Sequence, residues 1–333
     1  GIPRIDFSDD ANGALLLENS STNLFTYSED FSNADWLGGG AGVFTITPNA
    51  VISPDGTLNA SKLIAPNVGQ QIRQNKAIIN TQMSNSFYMR TNSGTKQMKL
   101  QINDTQIDST FLVTTEWNRY TVSGLVGSSL IGSGRCTIAN VDVLDESSHV
   151  YIYGAQLEVG SYSTSYIKTV GTTQTRVADT ASGSGNSTVI NSTEGVLYAE
   201  CKSLSNTTAQ YIAISDGTAG NEVLMYFSTL ADQITVVYQH DGLSNSYQQS
   251  ISGINKTNMN KFALKWSVNN FSFFVNGVKV NEQLSGTVGT GNNFNQLDLV
   301  YYNGTNNFLG KVKSVQVYTT ALTDAELTTL TTI

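Results

Sequence analysis

Short apolar runs of about four to eight residues recur along the whole chain, and glycine, asparagine, aspartate and serine interrupt them. Residues 43–46, 99–102, 150–153 and 271–275 are examples. Runs this short between turn residues are typical of strands in sandwiches and jelly rolls. Near the C-terminus, Thr323 is a candidate N-cap and Glu326 completes a capping box. The sequence therefore predicts an all-β chain with one short C-terminal helix.

The length of 333 residues favours two domains, each able to bury its own core. Between residues 169 and 193 small flexible residues dominate and large apolar ones are scarce, which is typical of a linker. We therefore place a domain boundary near residue 183 and predict two tandem antiparallel β-sandwiches, 1–182 and 183–333. No internal repeat relates the two halves, so we expect two different sandwiches.

The charge balance limits the possible partners. The formal net charge is −8, with 18 lysines and arginines against 26 aspartates and glutamates. Nucleic acids and anionic membranes bind clustered cations, so neither is an expected partner. No apolar run approaches the length of a membrane span, so we expect no membrane insertion. The chain opens on a strand-like stretch without methionine, and we expect the natural protein to extend upstream.

Cysteine and histidine are scarce, which excludes several kinds of site. The two cysteines, Cys136 and Cys201, lie in different predicted domains, so we expect buried thiols rather than a disulfide. Neither the CxxC nor the HxxxH spacing of a zinc site occurs. The GxSxG, P-loop and dinucleotide-binding motifs are also absent from the sequence.

Two phrases frame the first half of the chain. It opens on Leu-Leu-Leu-Glu at 15–18, Thr-Asn-Leu-Phe-Thr-Tyr-Ser-Glu-Asp-Phe-Ser at 22–32 and then Trp36. This opening is similar to the phrase that begins a domain of tailed-phage structural proteins. Tyr-Gly-Ala-Gln-Leu-Glu at 153–158 and Thr-Ser-Tyr-Ile at 164–167 resemble their closing phrase. Residues 53–56 and 116–120 fall between them in the expected order. The resemblance implies a jelly roll of the carbohydrate-binding-module type.

The second half contains four short phrases: Thr-Glu-Gly-Val-Leu-Tyr at 193–198, Ser-Asp-Gly-Thr at 215–218, Asn-Gly-Val at 276–278 and Ala-Leu-Thr-Asp-Ala-Glu-Leu at 321–327. In these phrases it resembles the laminin-G/concanavalin-like domains appended to such phage proteins. Together the resemblances imply a tail fibre or adhesin on the virion surface, non-enzymatic and bound to other virion proteins. Phage fibres are usually symmetric oligomers, so the resemblance also implies a homotrimer.

A sugar-binding surface needs aromatic rings for the apolar faces of pyranoses and polar side chains for their hydroxyls. Tyr88 and Arg90 are two residues apart on one predicted strand and therefore share a face. Trp36 follows polar residues and precedes three glycines, so we expect it on a loop, whereas we expect Trp117 in the core. The predicted ligand-binding residues are Trp36, Arg73, Tyr88, Arg90, Tyr238, His240, Tyr302 and Asn303. For each of them, a purely structural role is the alternative.

A calcium site is the usual ion site of jelly rolls like the one that the first half resembles. Calcium takes carboxylate and carbonyl oxygens. Glu18, Asp30 and Glu158 lie in the phrases at the two ends of the first domain, where neighbouring strands would bring them together. They are the predicted ligands of a Ca²⁺ ion. The alternative is that they are surface carboxylates without a metal.

Catalysis is the less favoured function. Retaining glycosidases of the concanavalin-like fold carry their carboxylates at alternating positions of one strand, and no glutamate here lies in a Glu-x-Asp or Glu-x-Glu phrase. Tyr238 with His240 is the one pair that resembles the Tyr–His set of polysaccharide lyases. The sequence thus favours a virion protein that binds surface glycans. Carbohydrate-binding modules of a secreted bacterial polysaccharide-degrading enzyme, or a purely architectural virion domain, are the alternatives.

Overall fold

The protein consists of two compact antiparallel β units. The computed structural model describes residues 3–77, 80–103, 106–127, 134–242, 246–291 and 293–333. One unit is Ser20–Val177, called the inserted domain below. The other combines Gly1–Asn19 with Ala178–Ile333 and is called the split domain. The all-β prediction with two sandwiches and a short C-terminal helix is confirmed.

The first 19 residues correct the predicted domain bounds of 1–182 and 183–333. Strands β1 (Arg4–Asp6) and β2 (Ala14–Leu17) belong to the split domain, where β2 pairs with the last strand, β24 (Gly310–Tyr318). Leu15 lies opposite Val312, and Leu17 is buried in the core of that domain. The chain passes from the inserted domain back to the split domain between residues 177 and 178, which lie inside the predicted linker. The two sandwiches are therefore not in tandem. The chain begins in the split domain, forms the whole inserted domain, and then completes the split domain.

The inserted domain is a sandwich of two five-stranded sheets. Their orders are β10-β9-β12-β7-β4 and β11-β8-β13-β6-β5, and β14 pairs with β3 beside them. Along β8 the residues alternate, so that Met83, Phe87 and Met89 enter the core while Tyr88 and Arg90 face outward. The strands are β3 (Ser21–Asn23), β4 (Leu37–Gly40), β5 (Thr45–Ile52), β6 (Leu58–Ile64), β7 (Gln70–Lys76), β8 (Thr81–Thr91), β9 (Lys96–Ile102), β10 (Ile107–Val113), β11 (Asn118–Val126), β12 (Gly134–Asn140), β13 (Val150–Val159) and β14 (Gln174–Arg176).

The split domain packs a seven-stranded sheet, β1-β2-β24-β15-β20-β21-β22, on a five-stranded one, β19-β18-β17-β16-β23. Aromatic side chains such as Trp266, Phe262 and Phe273 fill its core. Its remaining strands are β15 (Gly195–Ser203), β16 (Gln210–Ser215), β17 (Glu222–Phe227), β18 (Gln233–Gln239), β19 (Tyr247–Ser252), β20 (Asn260–Trp266), β21 (Phe271–Val275), β22 (Val278–Gln283) and β23 (Gln296–Asp298). The single helix among the described residues, α1, spans Asp324–Thr331.

Two local predictions are confirmed. Thr323 caps α1, and the reciprocal hydrogen bonds with Glu326 form the capping box. Cys136 and Cys201 are buried thiols in different domains, and neither forms a disulfide. Among the described helices, none is long and apolar enough to span a membrane.

Candidate functional site

The outer surface of β8, β11 and β13 in the inserted domain gathers aromatic and cationic side chains. We call Tyr88, Arg90, Trp117, Arg119 and Tyr151 the arginine–aromatic face. Arg119 on β11 lies opposite Tyr88, and Tyr151 on β13 lies opposite Arg90. Residues opposite each other in a ladder share a side of the sheet, so the face is continuous across three strands. The prediction that Tyr88 and Arg90 share one face is confirmed.

Arg90 is held between two rings. Its guanidinium carbon lies 5.5 Å from the centre of the Trp117 ring and 5.2 Å from that of Tyr151. Its Nε is buried and finds no hydrogen-bond partner among the described residues, and no described carboxylate forms an ion pair with it. Cation–π contacts orient the charge without neutralising it. Arg90 is thus a positioned cation that lacks a counter-ion within the described chain.

Arg119 differs from Arg90 because the protein itself uses its donors. Its Nε and Nη2 donate to the Ser86 hydroxyl at 3.2 and 2.9 Å, and its Nη1 donates to the carbonyl of Thr164. Its guanidinium carbon lies 5.5 Å from the centre of the Tyr88 ring. Arg119 therefore ties the segment around residue 164 to the sheet and supports Tyr88, whereas Arg90 Nε has no partner among the described residues.

A row of tyrosines runs from Tyr88 toward a polar cleft. The ring centres of Tyr88 and Tyr153 are 5.9 Å apart, and those of Tyr153 and Tyr166 are 5.3 Å apart. The Tyr166 hydroxyl donates to Glu29 at 3.1 Å, and Glu29 lines a cleft of about 530 Å³. The cleft is lined by Tyr27, Glu29, Asp30, Asn49, Asn59 and Lys168, among others. Amides, carboxylates and an ammonium are suitable partners for sugar hydroxyls.

Asp55 and Tyr153 form a fixed polar pair at the side of this row. The Tyr153 hydroxyl donates to Asp55 Oδ2 at 2.9 Å. Burial disfavours the charge on Asp55, but hydrogen bonds from Thr57, Ser53 and Asn59 outweigh it and hold the pKa of that carboxyl well below its usual range. Burial and the bond to Asp55 raise the pKa of Tyr153. Asp55 is therefore a permanent acceptor and is not suited to act as a general acid.

Trp36 and Trp117 have the opposite environments from those predicted. Trp36, expected as a loop ligand, is 6% exposed and packs on Phe25, Phe31 and Phe87 in the core. Its Nε1 donates to the carbonyl of Tyr27 at 2.8 Å. The loop supplies Phe25 and Phe31 itself, so it folds inward over the end of the sandwich. Trp117, expected in the core, is half-buried on the arginine–aromatic face.

Arg73 does not join Tyr88 and Arg90 as a candidate ligand. It lies on β7, opposite Thr137 of β12, in the other sheet of the inserted domain. Consecutive strands of a sandwich commonly belong to different sheets, so the order of β7 and β8 along the chain does not place their outer faces together.

Tyr238 and His240 are interior residues of the split domain, which corrects their prediction as ligands. Tyr238 is fully buried, donates to the carbonyl of Ser192 at 2.7 Å and accepts from the amide of Gly289 at 3.0 Å. His240 is 5% exposed, and its ring nitrogens contact Asp241 at 2.9 Å and Thr287 at 3.0 Å. The two rings do share one strand face, with centres 5.9 Å apart, but it is the inward face.

Tyr302 and Asn303 lie at the surface of the split domain, as predicted. Tyr302 is half-buried, and its ring meets the edge of Tyr301 with centres 4.4 Å apart. Asn303 is exposed, and its side chain accepts from the amide and hydroxyl of Thr305 at 3.1 and 2.6 Å. Asn303 therefore shapes the turn that presents Tyr302.

The three predicted calcium ligands do not converge. Glu18 belongs to the split domain, where it pairs with Arg4. Glu158 is fully buried in the inserted domain and accepts from the amide and hydroxyl of Thr164 at 2.8 and 2.6 Å. Asp30 is exposed and accepts from Ser32. Across the described ranges, no group of three or more histidine, cysteine, aspartate or glutamate side chains could hold a metal ion.

Sequence reasoning missed Tyr151 and Tyr153, which complete the arginine–aromatic face and the tyrosine row. The signal was present, because both alternate with the buried Val150 and Ile152 on β13. The pairing of β13 with β8, which sets them beside Arg90 and Tyr88, is not visible in the local sequence.

No protein-family model matches the sequence, and no curated protein matches it. Among solved structures, the chain is similar to the CBM40 module of the Ruminococcus gnavus IT-sialidase, solved bound to alpha2,3 sialyllactose. Their TM-score is 0.37, with 21% identity over 46% of this chain and 94% of that one. A leech intramolecular trans-sialidase gives a TM-score of 0.36, with 22% identity over 47% of this chain and 27% of that one.

A third structure, domains LG4-5 of the mouse laminin alpha1 chain, gives a TM-score of 0.28, with 9% identity over 78% of this chain and 90% of that one. These scores carry no functional argument for the chain.

Proposed function

We propose that the protein is a non-enzymatic carbohydrate-binding protein whose arginine–aromatic face binds acidic glycans. The observation that carries the proposal is Arg90, a cation fixed between Trp117 and Tyr151 without a described carboxylate partner. A structural arginine in an acidic protein would be expected to pair with one of its many carboxylates. This one is positioned for an external anion.

The chemistry of the face is suited to a sugar that carries a carboxylate, sulfate or phosphate. A guanidinium presents several donors in a fixed plane and matches such groups in a bidentate manner. The half-buried rings of Tyr88, Trp117 and Tyr151 can pack on the C–H faces of pyranoses. The polar cleft at the end of the tyrosine row supplies partners for hydroxyls.

We propose binding rather than hydrolysis at this face because the acid–base pair of a glycosidase is not assembled there. Such a pair needs one carboxyl with a raised pKa. Asp55, the carboxylate bound to the tyrosine row, has a lowered pKa. Glu29 is engaged by Tyr166 at 3.1 Å and by Lys168 at 2.7 Å.

We also propose that the protein acts outside cells on a phage virion surface, as a homotrimeric fibre or adhesin component attached to other virion proteins. The resemblance of the opening and closing phrases to tailed-phage proteins supports this. A glycan-binding part of a secreted bacterial enzyme is the alternative. Antibodies against the chain should label intact phage particles. Labelling confined to the culture supernatant of uninfected bacteria would favour the alternative.

The decisive experiment is a glycan array probed with the full chain, Arg90→Gln and Arg135→Gln. Arg135 is an exposed arginine on the other sheet of the same domain and serves as the matched control. We expect binding to concentrate on acidic glycans and to fall roughly tenfold or more in Arg90→Gln, but not in Arg135→Gln. Equal binding by all three proteins, or no binding by the wild type, would overturn the proposal.

A further inference from the structure

The five strands β16, β17, β18, β19 and β23 of the split domain form a sheet with an unusual set of charges. The strands β16, β17, β18, β19 and β23 contain no lysine or arginine, as their fully described sequences show. Two carboxylates, Glu222 and Asp298, do lie on them. Asp298 accepts from the amide of Gly183 at 2.6 Å and from Gln296 at 2.9 Å, so its charge is bound by local donors. Glu222 is the carboxyl that needs an explanation.

Four tyrosines cover the outer surface of this sheet. The rings of Tyr211 and Tyr226, opposite each other on β16 and β17, stack with centres 4.7 Å apart and planes 20° apart. Tyr301 stacks on Tyr211 at 4.4 Å, and Tyr302 meets Tyr301 edge-on at 4.4 Å. All four rings are half-buried. Their negative π faces and hydroxyl oxygens add to the electronegative character of the surface.

Glu222 lies on the same side of β17 as Tyr226, because residues two and four apart on a strand share a face. It is 4% exposed, and its Oε2 is buried without a hydrogen-bond partner in the described parts of the chain. Burial and the charge of Asp216 raise the pKa of Glu222 to about 7. A buried carboxyl left without a donor is costly, and a native structure that keeps one requires a reason.

We propose that Tyr211, Tyr226, Tyr301, Tyr302 and Glu222, the tyrosine–glutamate face, bind ammonium groups of a cationic amino-sugar oligomer. The proposal rests on the proposed carbohydrate binding and adds a second site with its own ligand class. Four residues of a strand span about 13 Å, so one ammonium group would supply the missing donor to Glu222 Oε2 while another amino group of the same oligomer interacts with the rings of Tyr211 and Tyr226 through cation–π attraction. An acidic sugar would be repelled, since the five strands carry no lysine or arginine to receive it.

Burial and the charge of Asp216, which follows β16, disfavour the ionisation of Glu222 in the absence of ligand. The other carboxylate of this sheet, Asp298, lies on β23 next to β16. The charge of Glu222 in turn contributes, after burial, to the raised pKa values of Tyr211 and Tyr301. The strands β18 and β19 contribute no charged residue. A bound ammonium group would therefore lower the pKa of Glu222 and release its proton.

The test is calorimetric titration of the full chain at pH 6 with glucosamine hexamer, in buffers that differ in ionisation enthalpy. N-acetylglucosamine hexamer, which is neutral, is the matched ligand. We expect the cationic hexamer to bind with release of roughly one proton per site, because Glu222 is largely protonated at that pH in the free protein. The neutral hexamer should bind at least about tenfold more weakly and release none.

Three variants test whether glucosamine binding and proton release depend on Glu222. Glu222→Gln should abolish proton release and weaken glucosamine binding by about tenfold, whereas Glu200→Gln, a carboxylate on the opposite sheet, should change neither. Arg90→Gln should leave glucosamine binding intact, which separates this site from the arginine–aromatic face. Equal affinity for both hexamers, or proton release that persists in Glu222→Gln, would overturn the inference. Binding of acidic glycans alone would overturn it while leaving the proposed function in place.

Discussion

The two domains share an architecture, but each has an ionisable side chain of the opposite kind without a partner, an arginine in one and a glutamate in the other. In the inserted domain, two rings hold a guanidinium that no described carboxylate neutralises. In the split domain, a carboxyl on the same side of the sheet as the stacked tyrosines has an oxygen without a described donor. A sandwich core constrains only the inward half of each strand. The outward half is free to vary, and in this protein it carries a guanidinium in one domain and a carboxyl in the other.

The domains also differ in how the chain builds them. The inserted domain is one continuous segment, whose ends meet where Ser21 pairs with Arg176. The split domain needs its first 19 residues, because Leu17 enters its core and Lys311 pairs with Asp6 and Asp9 at 2.7 Å each. Glu18 and Asp179 are hydrogen-bonded through their backbones at 2.9 Å, so the two segments of the split domain meet there. The inserted domain should therefore be separable, whereas a C-terminal fragment should not.

The largest expected effect concerns this difference in continuity. Residues 20–177 alone should unfold cooperatively in urea. Residues 183–333 alone should be unfolded or destabilised by several kcal/mol, because Leu17 leaves a cavity worth about 2–5 kcal/mol and Lys311 loses its partners. A chain with a Gly-Ser linker in place of 20–177 should recover a cooperative transition. A stable fragment 183–333 would contradict the assignment of residues 1–19.

A smaller effect on the unfolding free energy should distinguish substitutions in the core of the inserted domain from substitutions on its outer face. Trp36→Ala should cost about 3–5 kcal/mol of unfolding free energy, since it removes a large ring from among Phe25, Phe31 and Phe87. Tyr151→Ala, on the outer face, should cost under about 1.5 kcal/mol yet weaken binding of acidic glycans. Urea denaturation and glycan binding of both variants check this. A larger loss of unfolding free energy in Tyr151→Ala than in Trp36→Ala would contradict the assignment of Trp36 to the core and of Tyr151 to the outer face.

The smallest effect is a pH dependence in the split domain. The folded pKa of Glu222 is raised to about 7 from its ordinary 4.5, so the native state holds a proton that the unfolded chain loses above pH 4.5. Stability should therefore fall between pH 4.5 and 7 and stay low above pH 7. Glu222→Gln should remove that loss and gain up to about 3 kcal/mol at pH 8. Thermal unfolding from pH 5 to 8 measures it, with Glu200→Gln as the control.

Local patterns predicted the elements well, and failed where distant pairing decides the outcome. Thr323 and Glu326 identify the helix because a capping box is a contact between near neighbours. Tyr88 and Arg90 share a face because alternation is a property of any strand. The prediction of Trp36 as an exposed ligand was wrong, because its burial depends on Phe25 and Phe31, which its own loop folds into the core. The predicted calcium ligands were grouped by their places in the sequence, but Glu18 belongs to the split domain and Glu158 accepts hydrogen bonds from Thr164 in the inserted domain.

The most direct measurement is calorimetric titration of the full chain with a galacturonic acid oligomer and with its neutral methyl-esterified form. Wild-type protein should bind the acidic oligomer at least about tenfold more tightly, because Arg90 has no other described counter-ion. Arg90→Gln should bind both forms equally weakly, and Arg135→Gln should keep the preference. Equal affinity of the wild type for the two oligomers, or an unchanged preference in Arg90→Gln, would contradict the central claim that a positioned, uncompensated arginine makes this face a receptor for acidic glycans.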